Sequence, residues 1–180
     1  MLRERVWGVA GAVRLGLVVL AVCTTLAMLV PVGALADADP PSDFLPDNDL
    51  YLPYQPPVAR PVSAVLNRML KTARSRHHVY KVALVATPQD LGAVTVLFRK
   101  PAQYVRFLYR EIQFVLGPQR ATLLIAMPGG LGVIGPDATA AGRAALRRIR
   151  LPARPTSNVL ARAAITAVRT LTAVNHHPVR

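Results

Sequence analysis

The sequence predicts an α/β fold: a small sandwich with a mixed sheet of about three to four strands flanked by helices, preceded by an N-terminal signal or anchor helix. Three observations carry that prediction. Tyr80–Ala86 and Thr122–Met127 are short, almost wholly apolar runs with the length of buried strands. Stretches of helical periodicity alternate with them. Ahead of both lies a long uncharged run behind a basic start.

That first run spans Leu15 to Val32 and follows Arg3, Arg5 and Arg14. Pro31 and Gly33 break it, and Ala34-Leu35-Ala36 presents the small side chains that a signal peptidase accepts beside the scissile bond, so cleavage is expected after Ala36. The 22 residues from Leu15 to Ala36 also suffice to cross a bilayer as an uncleaved anchor. In both cases the arginines precede the span and aspartates follow it, which predicts an exported body, secreted or attached to the outer face of the cytoplasmic membrane. The single cysteine, Cys23, lies inside this run, so the exported part has no disulfide or thiolate chemistry.

Residues 37–57 form an acidic, proline-rich leader, whose composition predicts extended chain with an edge strand at Leu50–Leu52. Pro61 then opens a helix, with Val62, Val65, Leu66, Met69 and Ala73 on its apolar face, that ends near His77. The strand Tyr80–Ala86 stops at Thr87-Pro88, and a loop runs through Asp90-Leu91-Gly92. Pro101 starts a second helix whose apolar face carries Val105, Leu108, Tyr109, Ile112, Val115 and Leu116, and Gly117-Pro118 ends it. Thr122–Met127 is followed by the turn Pro128-Gly129-Gly130 and a returning strand at Leu131–Ile134. Asp137 or Thr139 caps a third helix to about Ile149, and after Pro152 and Pro155 the last helix covers Ser157 to Val174. The expected organisation is therefore export segment 1–36, leader 37–57, α/β domain 58–150, and C-terminal helix with polar tail 151–180.

Charge is divided along the chain. The leader holds five aspartates and no Lys or Arg, whereas from residue 58 onward 19 Lys and Arg stand against Asp90, Glu111 and Asp137, a balance of +16. A basic body outside a bacterial membrane points to an anionic membrane surface, a phosphate-bearing wall polymer or an envelope protein as partner. The compartment argues against nucleic acid.

Candidate chemistry is sparse. Gly130, Gly132 and Gly135 match G-x-G-x-x-G, but Val133-Ile134 suits a strand, Pro136 follows at once, and no acidic residue lies about 20 positions on, so a hairpin is expected and no nucleotide cofactor. His77-His78 and His176-His177 are adjacent pairs whose side chains diverge, so a metal site needs one histidine from each. Asp47 and Asp49 offer alternate oxygen ligands to calcium or magnesium, without the glycine and glutamate of an EF-hand; a solvated leader is the simpler expectation. Asp90 sits where ligand clefts open beyond a strand's carboxyl end, and Asp90, Gly129 and Gly130 together mark a candidate cleft. Ser42, Ser63, Ser75 and Ser157 lack an activating motif, and no catalytic residue is assigned.

The span from Asp47 to Ile149 resembles the TPM domain of thylakoid-lumen and exported bacterial proteins, and most resembles uncharacterised exported members from GC-rich bacteria. The likeness rests on Asp49-Leu50-Tyr51 before the first helix, Lys81 to Ala86 followed by Asp90-Leu91-Gly92, Leu97-Phe98 with Lys100-Pro101 and Tyr104, and Leu123 to Pro128 before Gly130, Gly132 and Gly135. It implies an α/β sandwich with a glycine-bearing hairpin and an accessory role at a membrane, with calcium association or weak phosphatase activity in some members. The acidic ligand cluster and the C-terminal apolar span of many relatives are missing here. The expected function is a non-enzymatic accessory or interaction module at the cell envelope; the alternative is a cation-dependent phosphatase-like hydrolase using Asp90 and the leader.

Overall fold

Lys81 is the only charged residue in the two apolar runs, and both runs lie at the centre of the sheet as adjacent parallel strands. The computed structural model describes residues 39–116 and 121–176. The export segment with Cys23, Ala34 and Ala36, the Gly117-Pro118 stop and the tail from His177 lie outside them. In order, the elements are α1 (Pro40–Phe44), β1 (Leu50–Tyr51), α2 (Arg60–Ser75), β2 (Tyr80–Leu84), a 3₁₀ segment (Pro88–Leu97), α3 (Pro101–Leu116), β3 (Thr122–Met127), β4 (Gly130–Ile134), α4 (Ala140–Leu146) and α5 (Ser157–His176). None of these helices is long and apolar enough to cross a membrane.

The four strands make one mixed sheet in the order β1-β2-β3-β4; β1, β2 and β3 are parallel and β4 returns antiparallel. Side-chain alternation divides the core in two, because successive residues of a strand point to opposite faces. Val82, Leu84, Leu124 and Ala126 face α2, α4 and α5. Ala83, Val85, Leu123, Ile125 and Met127 face α3, the 3₁₀ segment and Leu45. Burial on both faces is why these strands read as continuous apolar runs rather than as alternating ones.

The helical faces are rotated slightly from the sequence expectation. In α2 the buried residues are Leu66, Leu70 and Ala73, and Val65 is exposed. In α3 they are Tyr104, Val105, Leu108 and Ile112, while Phe114 and Val115 point to solvent. Thr139 caps α4 by accepting the Gly142 amide at 3.0 Å, and the helix stops at Leu146, short of Ile149. The stretch between β2 and α3 is 3₁₀ helix, interrupted at Gly92, where φ is 52°.

The leader departs most from expectation. Its prolines do not exclude helix, since Pro40 and Pro41 open α1, where a missing N–H costs nothing. Nor is it solvated as a whole. Asp39 is buried and accepts the Tyr104 hydroxyl at 2.7 Å; burial first, then the Asp39 charge, pushes that phenol well above its ordinary range, so it stays a donor. Leu45 and Leu50 are buried too, each worth about 1.5–3 kcal/mol of apolar transfer, and so is Tyr51. Lys81 Nζ reaches back to the carbonyls of Pro46 and Asn48, both at 3.0 Å, and Ala59 N donates to Asn158 Oδ1 on α5 at 2.8 Å. The last helix likewise contributes Leu160, Ala164, Val168 and Leu171 to the core. The leader thus contributes to both halves of the core, Leu50 on the side shared with α5 and Leu45 and Tyr51 on the side shared with α3.

Candidate functional site

Hairpin closure determines where an open surface is left. Met127 pairs with Gly130 across Pro128-Gly129, with Gly129 at φ 113°, and β4 runs back along β3 to Ile134 opposite Leu123. The three glycines therefore belong to a hairpin and its exit. Among the described residues β4 is last in the sheet, so only one of its edges is paired by a described strand.

Along the other edge runs a groove of about 550 Å³. Its floor is Gly129 to Ile134, one wall is Ala102, Val105 and Arg106 of α3, and the other is Arg143 and Leu146 of α4 with Arg147, Ile149 and Arg150 beyond its end. Four guanidinium groups line it and no acidic residue does. Arg143 donates to the carbonyl of Ala138 and so is held against its own loop. Arg106, Arg147 and Arg150 are exposed and form no ion pair with a described residue. A guanidinium cannot shed its proton in the physiological range, so crowding raises the local positive potential instead of neutralising it. Planar forks of that kind bind carboxylate or phosphate oxygens in pairs.

Compared with known proteins, the chain matches no family model, no curated protein and no solved structure. Function must be argued from this geometry.

The candidate cleft named from the sequence is split by the structure. Gly129 and Gly130 do line the groove, but Asp90 does not. Asp90 is fully buried at the start of the 3₁₀ segment, where Oδ2 accepts the amides of Ala86 and Thr87 at 2.8 and 2.9 Å and the Thr87 hydroxyl at 3.3 Å, and Oδ1 accepts the Tyr54 amide at 3.0 Å. Both oxygens accept backbone amides in the interior, so Asp90 joins the leader to the end of β2 and does not open toward the groove.

The leader aspartates separate as well. Asp47 is exposed in the loop after α1. Asp49 takes a two-point contact from Arg74, Nε to Oδ2 at 3.0 Å and Nη2 to Oδ1, with Lys81 Nζ 3.2 Å from Oδ1. Among the described residues no three His, Cys, Asp or Glu side chains converge as a metal site requires. His78 pairs with Asp137 at 3.1 Å, while His77 sits at φ 66° past the end of α2. Ser42, Ser63, Ser75 and Ser157 each donate to a backbone carbonyl.

Asp49 carries a pH prediction. Burial alone would raise its pKa, but the Arg74 hydrogen bonds and the Lys81 charge outweigh this and hold it below the ordinary 3.8. A depressed folded-state pKa means stability that is present above the ordinary value and lost as pH falls through it toward the folded one. Asp49→Asn should therefore melt about 2–4 °C below the parent at pH 7, with the gap closing below about pH 4. Thermal melts from pH 3 to 7 measure it, and a pH-independent gap would contradict the assignment.

Sequence reasoning missed the groove because its arginines are dispersed, with Arg106 on one helix and Arg143, Arg147 and Arg150 some 40 residues on. Arg143 and Arg147 are four residues apart, a one-face spacing at the end of a helix. Only the hairpin between them shows that this face meets Arg106.

Proposed function

We propose that this protein is a non-enzymatic interaction module at the outer side of the cell envelope, and that it holds an anionic partner in the arginine-lined groove beside β4. The carrying observation is the set Arg106, Arg143, Arg147 and Arg150 around one concavity with no acidic residue. Export is supported by the Arg-flanked apolar run and Ala34-Leu35-Ala36. The TPM-like motifs support an accessory role at a membrane. Asp90 lends the hydrolase alternative no support, since it is fully buried and bonded to three backbone amides.

Exposed ion pairs contribute only about 0.2–1 kcal/mol each, so binding should be modest, salt-sensitive and dependent on several arginines at once. With the full chain and inorganic polyphosphate as probe, the triple change of Arg106, Arg147 and Arg150 to Glu should weaken binding at least about tenfold, a loss of about 1.4 kcal/mol. The same charge change at Arg60, Arg68 and Arg162, which lie outside the groove, should weaken it far less. Equal losses would show that net charge rather than the groove attracts the anion, and the proposal would fall.

A further inference from the structure

The groove has a second property that a simple anion site does not need: its floor is β4, a strand whose outer edge no described residue pairs. In an antiparallel ladder alternate residues turn their N–H and C=O toward the partner, and the residues between turn theirs away. All five residues of β4 line the groove, and the outward-turned groups belong to the edge that no described strand pairs. Resting on the proposed binding function, we infer that the partner is an extended acidic polypeptide segment, which adds to the sheet as a fifth strand beside β4.

Three features favour that occupant. β4 has five residues, so a matching segment spans about 17 Å and meets the full floor from Gly130 to Ile134. An added strand sends its side chains alternately to the two faces of the sheet. One set meets the α3 wall with Arg106, and the other meets the opposite wall with Arg147 and Arg150. Acidic residues at alternate positions facing the second wall gain two guanidinium partners, and main-chain pairing supplies an affinity that charge alone does not. A phosphate polymer has no N–H to offer the carbonyls of β4, and a flat bilayer surface does not enter a concave groove.

A second copy of the chain is disfavoured by the same residues. Edge-to-edge pairing of two β4 strands would bring two arginine-lined grooves together with no acidic group on either side. Charges flanking an exposed edge are a recognised defence against self-pairing. Here they also select the sign of the partner.

The test uses the full chain with two synthetic octapeptides of alternating Glu and Val, identical except that one has N-methyl groups on the alternate amides that would face β4. N-methylation removes ladder donors and leaves the charge unchanged. The unmodified peptide should bind at least about tenfold more tightly and slow hydrogen exchange of alternate β4 amides at least about tenfold. The Arg147→Glu, Arg150→Glu double variant should lose that binding. Equal affinity of the two peptides, or no slowing within β4, would overturn strand addition while leaving the anion-binding reading standing if polyphosphate still binds through the groove. Failure of both peptide and polyphosphate to bind would overturn both.

Discussion

Asp90→Ala is expected to destabilise the protein by about 3–5 kcal/mol, a large part of the net stability of a domain of this size. The carboxylate is fully buried and satisfies three backbone amides from two separate segments, Tyr54 in the leader and Ala86 and Thr87 at the end of β2. Removing it leaves those donors without a partner, and each orphaned buried donor costs about 1–3 kcal/mol. Asp90→Asn preserves shape but not acceptor capacity. Its single oxygen can serve Ala86 and Thr87, while its amide must then face the Tyr54 N–H, donor against donor. An intermediate loss of about 1–2 kcal/mol is expected, with faster exchange at the Tyr54 amide. Urea unfolding of both variants gives the measurement. If Asp90→Asn unfolds at the parent's midpoint, the carboxylate is not the tie described here, and a chemical role for it would regain support.

That aspartate also shows how far the sequence could be read. Its place beyond the carboxyl end of β2 is legible, because Tyr80–Leu84 is an apolar run and Thr87-Pro88 stops it. Its direction is not. Whether a carboxylate after a strand opens to a cleft or turns inward depends on which amides approach it, and one of these comes from Tyr54, 36 residues away. The leader was illegible for the same reason. Prolines and aspartates read as solvated chain, yet the neighbours that bury Asp39, Asn48 and Asp49 wholly or in part or take up their polar groups are Tyr104, Lys81 and Arg74, all distant in sequence. Strands and helices, by contrast, announce themselves through local periodicity. Thr122–Met127 and Pro101–Leu116 have the expected bounds because apolarity and helical spacing are local properties that proline and glycine punctuate.

Gly132→Ala is expected to cost about 1–3 kcal/mol and to weaken binding in the groove, two effects with one cause. A Cβ at this position would lie 2.7 Å from the backbone carbon of Pro101, nearer still to its oxygen, and 3.2 Å from Val105 Cβ. The obstruction is the first turn of α3, which is backbone and cannot rotate out of the way. Either the helix lifts from β4 or the hairpin bends, and Arg106 moves with the wall it belongs to. Gly130 provides the contrast: a Cβ there would meet only Pro101 Cγ at 3.9 Å, so its requirement is the φ of 129° and not space. Gly130→Ala should therefore destabilise the turn while leaving the α3 wall in place. Chemical denaturation and polyphosphate binding measured on both variants separate the two. Groove affinity should fall further with Gly132→Ala in the folded protein than with Gly130→Ala. Unchanged affinity in Gly132→Ala would mean that the position of α3 against β4 does not shape the groove. The glycine spacing that resembles a nucleotide turn thus has a steric origin, with one glycine for the turn and the next for the close approach of a helix to an edge strand.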